Sequence, residues 1–340
     1  MSISISKTVL VTGAGGQLGR RLIPRLIAAG FKVRAHYRSE EKARKYCPVN
    51  AEAIYGDLLA PPWLDNAVRD CAIVIHSAAI VSLRPKSNEL MKRVNVDGTA
   101  AVISACRKSG VKRLIHVSSI IAVGASEDGL PIDEMARYNL TGYGIPYIDT
   151  KKEAELMALR ANSAELNVVV VNPSIMISPP DRELTDKDLK KIPKRVPFYF
   201  DFGINLVETG DVVSGIISAI DRGRPGQRYL LTGENIDPQK AFDLAREFLN
   251  IKKPKLKIPV GALYPVAIIM ELVASIRNKR PKFHRGLARL ARLKFFYSHK
   301  KAQMELGYSP STLRESLERI MPSINRRADK PGCQKCKDRI

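Results

Sequence analysis

The sequence predicts an α/β fold built on a doubly wound parallel sheet, followed by a smaller C-terminal lobe. Three observations lead there. Short apolar runs alternate with amphipathic helical segments as far as residue 175. The runs are almost continuously apolar, as strands covered on both faces must be. A glycine-rich turn joins the first run to the first helical segment. Strands and helices alternating at this length connect through right-handed crossovers, which places helices on both sides of a parallel sheet.

The candidate strands are TVLVTG (8–13), KVRAHYR (32–38), AEAIYGD (51–57), AIVIHSAA (72–79), KRLIHVSS (112–119) and NVVVVNPS (167–174). Between them QLGRRLIPRLIAAG (17–30), PPWLDNAVRDC (61–71) and NVDGTAAVISACRKSG (95–110) carry helical periodicity. After residue 178 the pattern loosens. SPPDRELTDKDLKKIP reads as a polar loop with a short helix, GDVVSGIISAIDRG (210–223) as a helix and QRYLLTG (227–233) as a strand. Asp237 followed by Pro238 starts a further helix over 237–250. The division expected is 1–178 for the sheet domain and 179–322 for a lobe partly threaded back onto it. A basic tail, 323–340, carries Cys333 and Cys336. A single CxxC is half a zinc site, and no metal is expected from it.

IPVGALYPVAIIMELVASI (258–276) is mostly apolar but contains Pro259, Pro265 and Glu271. It is marginal as a membrane span, and its prolines start a helix rather than run through one. A buried or lid helix is the first reading. An interfacial helix on anionic lipid, through 258–285, is the second.

Composition narrows the function. The 340 residues are 45% hydrophobic, and Lys and Arg number 56 against 34 acidic residues, a formal charge of +22. Such an excess favours anionic ligands or surfaces. No nucleic-acid-binding motif accompanies it, so no nucleic-acid partner is expected. The N-terminus lacks the basic region and cleavage site of a signal peptide, which points to a cytoplasmic protein, with membrane association as the variant.

The turn VTGAGGQLG (11–19) departs from the strict GxGxxG spacing, because residue 18 is Leu. What fits is Gly13, Gly16 and Gly19, with Gln17 and Leu18 inside the loop. Glycines permit a tight turn and close backbone approach, and the helix N-terminus that follows offers free N–H groups to a pyrophosphate. This is a Rossmann-type arrangement. Where NAD enzymes carry an acidic residue at the end of the second strand, this chain has Arg38. A guanidinium suits a 2′-phosphate and favours NADP over NAD. Arg38 stacked on an adenine would not discriminate.

Tyr147 and Lys151 stand four residues apart in PYIDTKKEAELMALR (146–160), on one face of a helix. HVSS (116–119) ends the fifth strand, where a parallel sheet delivers side chains to its ligand crevice. Together they form a proton-transfer device. A phenol of pKa about 10 needs a neighbouring positive charge to act as a base near neutrality. Ser119 can hold the substrate oxygen while Tyr147 passes the proton.

With these motifs in place the chain resembles the extended short-chain dehydrogenase/reductase superfamily, over roughly residues 6–320. The matching pieces are TGAGGQLG, GDL (56–58), VIHSAA (74–79), NVDGT (95–99), VSS (117–119), Tyr147 with Lys151, and VNPS (171–174). VNPSIMISPPD (171–181), RGRPGQRYLLTGENI (222–236) and KAQMELGYSP (301–310) look most like its dihydroflavonol reductase, 3β-hydroxysteroid dehydrogenase and epimerase cluster. The resemblance implies that Asp57 meets the adenine and Leu58 lines its pocket. Ala78 and Ala79 would pass beside the cofactor, Asn95 would support the active-site helix, and Pro173 and Ser174 would flank the nicotinamide. It also implies Ser119 as the catalytic serine, with Ser118 the neighbouring alternative, and a homodimer. Ser178 replaces a usual Gly and Glu208 a frequent His, both at the expected border of the substrate pocket.

The expected activity is an NAD(P)-dependent oxidoreduction of a secondary alcohol or ketone on a hydrophobic small-molecule substrate, steroid-, isoprenoid- or flavonoid-like. The alternative is a sugar-nucleotide epimerase or dehydratase with retained NAD, where Lys190, Lys191, Lys194 and Arg195 would meet a diphosphate. A third reading, a non-catalytic nucleotide binder, is disfavoured because both Tyr147 and Lys151 are present.

Overall fold

The computed structural model describes residues 8–60, 62–83, 88–179, 197–249, 251–252, 254–277 and 279–325. The cations expected at 190–195 and the pair Cys333 and Cys336 lie outside them.

Strand β1 (Thr8–Thr12) leads through α1 (Gly19–Ala28) into β2 (Lys32–Tyr37), α2 (Glu40–Tyr46) and β3 (Ala51–Tyr55). Then come α3 (Pro62–Val68), β4 (Ile73–His76) and α4 (Asn88–Lys92). A π-helical turn over Arg93–Asp97 joins α4 to α5 (Gly98–Lys108). β5 (Arg113–Val117), α6 (Pro146–Arg160) and β6 (Asn167–Pro173) complete the first half. The second half holds β7 (Ile175–Ile177), β8 (Phe198–Tyr199), β9 (Ile204–Glu208), α7 (Thr209–Arg222), β10 (Arg228–Leu231), β11 (Glu234–Ile236) and α8 (Pro238–Leu249). It ends with β12 (Leu256–Lys257), α9 (Leu263–Ile276), α10 (Arg285–Leu290), α11 (Lys300–Leu306) and α12 (Leu313–Asn325).

Seven strands form one parallel sheet in the order β10-β6-β5-β4-β1-β2-β3. The predicted doubly wound sheet is therefore present. The order reverses between β1 and β4, so a crevice opens where their C-terminal ends diverge. Side chains of one strand alternate between two cores. Val9, Val11, Val169 and Val171 meet α1, α7 and α11 on one face. Leu10, Leu114, Val168 and Val170 meet α3, α5 and α6 on the other. Both faces are covered, which is why the strands read as continuous apolar runs.

The stretch 227–233 joins the main sheet: β10 pairs in parallel with β6 and forms its edge. What remains of the second half forms a small sheet, β11-β9-β7, a short β12-β8 pair and peripheral helices.

The segment 258–276 does not become a buried helix. Within α9 only Ala267 and Ala274 are buried, and Ile269, Leu272 and Ile276 are 60%, 59% and 84% exposed. The inward face is a narrow stripe of small residues, and α9 packs mainly on α10. An apolar run specifies burial only if a second surface faces it, and most of this helix faces none among the described residues.

Candidate active site

The glycine turn lies in the crevice between β1 and β4. Gly13 has φ +75°, and a Cβ there would stand 2.8 Å from the Ala78 nitrogen and 2.9 Å from the Ala78 Cα. A Cβ on Gly19 would stand 2.5 Å from the Gly13 carbonyl oxygen and 2.7 Å from the Ala14 Cα. These two positions admit only glycine because backbone closes on them. Gly16 closes the turn by donating its N–H to the Gly13 carbonyl at 3.0 Å, and it is exposed. Leu18 precedes α1 without a side-chain cap, and the first turn holds no acidic residue. A bare, positive helix end beside a glycine cradle fits a pyrophosphate.

Gln17 ties this loop to the second half of the chain. Its amide donates to the Ser178 hydroxyl at 3.0 Å and to the Thr209 hydroxyl at 3.3 Å. Ser178 thus anchors the glycine loop, and Glu208 pairs with Arg319 on α12. The two family departures are therefore both engaged in contacts within the chain.

The remaining candidate cofactor residues surround the crevice. Arg38 immediately follows β2 and is exposed. Asp57 is exposed, accepts the Leu59 amide at 3.0 Å, and offers its carbonyl to the Trp63 indole at 2.7 Å. Leu58 is buried and reaches the start of α5 at Gly98. Ala78 and Ala79 are half-buried just beyond β4, and the Ala78 amide donates to the Thr12 hydroxyl at 3.3 Å. Pro173 ends β6, and the adjacent Ser174 hydroxyl is buried with no partner within the chain. That orphaned hydroxyl is free to bind a polar group of a ligand.

Ser119, just beyond β5, caps a short 3₁₀ turn, its hydroxyl accepting the Ile121 N–H at 3.4 Å. The Ser118 hydroxyl is buried and unpartnered. Tyr147 and Lys151 share one face of α6, which starts at Pro146. Burial pushes the Tyr147 phenol up from its ordinary value, and Ser119 draws it part of the way back. Lys151 is buried and donates to the Val117 carbonyl at 2.9 Å. Burial lowers its pKa to about 8, against an upward pull from Glu155.

Glu155, Asn172 and Arg228 escaped the sequence reading as supporting groups, whereas Asn95 was expected to support the active-site helix. Glu155 lies one turn beyond Lys151 and is fully buried. It pairs with Arg228 at 3.0 Å and accepts the Asn172 amide, which also donates to the Ser119 carbonyl at 2.9 Å. The spacing 147, 151, 155 was the available signal, but its partners come from β6 and β10. Asn95, in the π-helical turn, bridges the loop after β4 to α6. It accepts from the Ile80 amide at 2.7 Å and donates to the Thr150 hydroxyl at 3.2 Å.

His76 joins the Thr12 and Thr99 hydroxyls at 2.8 and 3.1 Å. Burial, then Lys151 and His36, push its pKa down to about 3. In the unfolded chain a histidine titrates near pH 6.5, so below that pH the unfolded state takes up a proton the folded state refuses. Stability is expected to fall as the pH drops from about 6.5, by up to ~1.4 kcal/mol per pH unit for this residue. Urea unfolding across that range checks it, and His76→Gln should flatten the slope. An unchanged slope in the variant contradicts the assignment.

Comparisons with known proteins agree with this geometry. Residues 10–195 match the model of the 3-beta hydroxysteroid dehydrogenase/isomerase family. A putative dihydroflavonol 4-reductase of Synechocystis sp. is 29% identical over 322 residues, covering 93% of this chain and 94% of that protein. Sterol demethylase protein B of Methylococcus capsulatus is 30% identical over 319 residues, covering 91% of this chain and 96% of that protein. Among solved structures, gox2253 superposes with a TM-score of 0.79 at 31% identity, over 94% of this chain and 98% of its own.

Proposed function

The chain belongs to the 3-beta hydroxysteroid dehydrogenase/isomerase family of extended short-chain dehydrogenases/reductases, and from that premise we propose that it transfers hydride between a nicotinamide cofactor and a secondary alcohol or ketone. The observation that carries this is the meeting of α6 with the C-terminal end of β5, where Lys151 is buried against the Val117 carbonyl and Ser119 lowers the pKa of the Tyr147 phenol, in the same parallel sheet whose first turn forms the glycine cradle.

When bound, the cofactor supplies or accepts the hydride at its nicotinamide ring. Gly13, Gly16 and the start of α1 would hold its pyrophosphate. Ser119 orients the substrate oxygen by a hydrogen bond. In ketone reduction the Tyr147 O–H gives its proton to that oxygen. In alcohol oxidation the Tyr147 oxygen takes the proton. Lys151 supports the phenolate by its charge. Glu155 favours that charge.

The substrate we assign is hydrophobic, of steroid-, isoprenoid- or flavonoid-like character. Support comes from the apolar surroundings of Tyr147, which packs with Ile121, Leu140, Ile145, Ile148 and Leu290. The relatives' names, a sterol demethylase protein and a dihydroflavonol reductase, point the same way. Assaying NADPH and NADH oxidation with sterol, prenyl and flavonoid ketones tests the reading. Turnover restricted to small polar ketones or nucleotide sugars overturns it.

NADP is the preferred cofactor in this proposal, because Arg38 stands at the end of β2 with its guanidinium in solvent. Arg38→Asp should lower kcat/KM for NADPH by about 10- to 100-fold, the worth of a hydrogen bond to a charged group, and leave NADH much less affected. Equal losses with both cofactors would remove the preference.

A further inference from the structure

We propose that α9 and its basic flanks dock this protein on an anionic lipid surface. The proposal starts from an imbalance of surface. Tyr264, Val266, Ile268, Ile269, Met270, Leu272, Val273 and Ile276 are all exposed on one 14-residue helix. Together they present on the order of 600 Å² of apolar area, at the upper end of what a soluble monomer shows in one patch. Leu256, just upstream, adds to it.

The charge around this patch selects the occupant. From Ile251 to Lys300 the sequence has thirteen Lys and Arg and a single acidic residue, Glu271. Lys252, Lys255 and Lys257 precede the helix, and Arg277, Lys279, Arg280 and Lys282 follow it, all exposed. Glu271 is turned inward and tied to Arg285, accepting its backbone N–H at 2.7 Å and its guanidinium at 2.8 Å. No free carboxylate among the described residues of this stretch opposes an anionic surface. An aliphatic centre rimmed by cations matches the boundary between acyl chains and anionic headgroups. A nucleic acid would leave the aliphatic centre uncovered.

Length decides how the helix sits. At 1.5 Å per residue α9 is roughly 21 Å long, too short for the ~30 Å hydrocarbon core. No described helix is long and apolar enough to cross a membrane. The helix therefore lies in the interface, parallel to the surface.

The position of α9 links this surface to the candidate active site. It packs on α10, whose Leu287 and Leu290 belong to the apolar cluster around Tyr147. His284, just before α10, hydrogen-bonds the Leu83 carbonyl at 3.1 Å, beside exposed Val81 and Leu83 on the loop after β4. The lipid-facing helix thus packs directly on an element of the apolar cluster around Tyr147. The docking itself rests on the helix and its charge, not on the proposed reaction.

The test is flotation of the full-length protein with phosphatidylcholine vesicles, with and without phosphatidylglycerol. Two variants accompany it: Ile269→Glu/Leu272→Glu/Ile276→Glu, and Arg277→Gln/Lys279→Gln/Arg280→Gln/Lys282→Gln. All seven residues are exposed, and unchanged melting temperature and nucleotide binding verify the fold. The expected result is binding to the anionic vesicles that weakens with salt and falls at least tenfold in each variant. Absent binding, equal binding to neutral vesicles, or binding that either variant leaves intact overturns the proposal. So does a wild-type dimer that becomes monomeric in the Glu variant with no lipid binding in either, which assigns α9 to a subunit interface. Flotation is read without turnover, so a protein that floats but reduces no ketone removes the proposed reaction and leaves the docking surface standing.

Discussion

Tyr147→Phe is expected to lower kcat by roughly 10³-fold, within the range that positioned acid–base groups supply. The phenyl ring keeps its packing among Ile121, Ile145 and Leu290, so the melting temperature should barely move. Only the phenolic hydroxyl is lost. Cofactor binding should persist, because the glycine cradle does not involve this side chain. The pH dependence follows from the same group. Burial holds the phenol protonated through neutrality, so ketone reduction should hold there and decline in the alkaline range. Alcohol oxidation needs the phenolate and should rise in that range. Rapid-mixing kinetics in both directions checks these points, and a variant within tenfold of wild type rules out Tyr147 as the proton donor.

Glu155→Ala has the largest expected effect on stability, about 3–5 kcal/mol, because removing one partner of a buried pair leaves the other charge uncompensated. Here the survivor is Arg228, whose guanidinium is otherwise held by the Glu134 carbonyl. The Asn172 amide also loses its acceptor and with it part of its grip on the Ser119 carbonyl. Glu155→Gln keeps the hydrogen-bonding shape and should fold with a smaller loss. It still removes the charge that raises the Lys151 pKa toward about 8. The alkaline limb of kcat/KM should therefore move to lower pH in Glu155→Gln, a change that lost packing alone does not produce. Urea unfolding and a pH–rate profile measure the two effects separately. A stable Glu155→Ala protein, or an unmoved limb in Glu155→Gln, contradicts this role.

The sheet and the placement of Ser119, Tyr147 and Lys151 were legible in the sequence because their determinants are local. Gly13, Gly16 and Gly19 fall within one turn, Tyr147 and Lys151 within one helical turn, and Ser119 at the end of its own strand. The alternation of runs marked the strands and a parallel sheet but not their order, and β10, itself read as a strand, pairs with β6 across more than fifty residues. Long-range pairing of that kind leaves no mark in either segment alone. The same holds for Glu155, Asn172 and Arg228, which sit on three separate elements and become partners only when β10 closes the sheet. The Thr12, His76 and His116 row depends on register: His76 stands opposite Thr12 in β1 and opposite His116 in β5. The burial expected of 258–276 failed for another reason. A run that is apolar nearly all round looks the same whether protein or lipid is meant to cover it.

The central claim is net hydride transfer between nicotinamide and a hydrophobic secondary alcohol or ketone, assisted by Tyr147. Its most direct test is a single turnover with reduced nicotinamide carrying deuterium at C4, in the presence of a sterol-like ketone, followed by mass analysis of the product. The expected result is one deuterium on the new carbinol carbon for each nicotinamide oxidised, lost in Tyr147→Phe. An isomerised product without deuterium, formed while tightly retained NAD shows no net change, would contradict it.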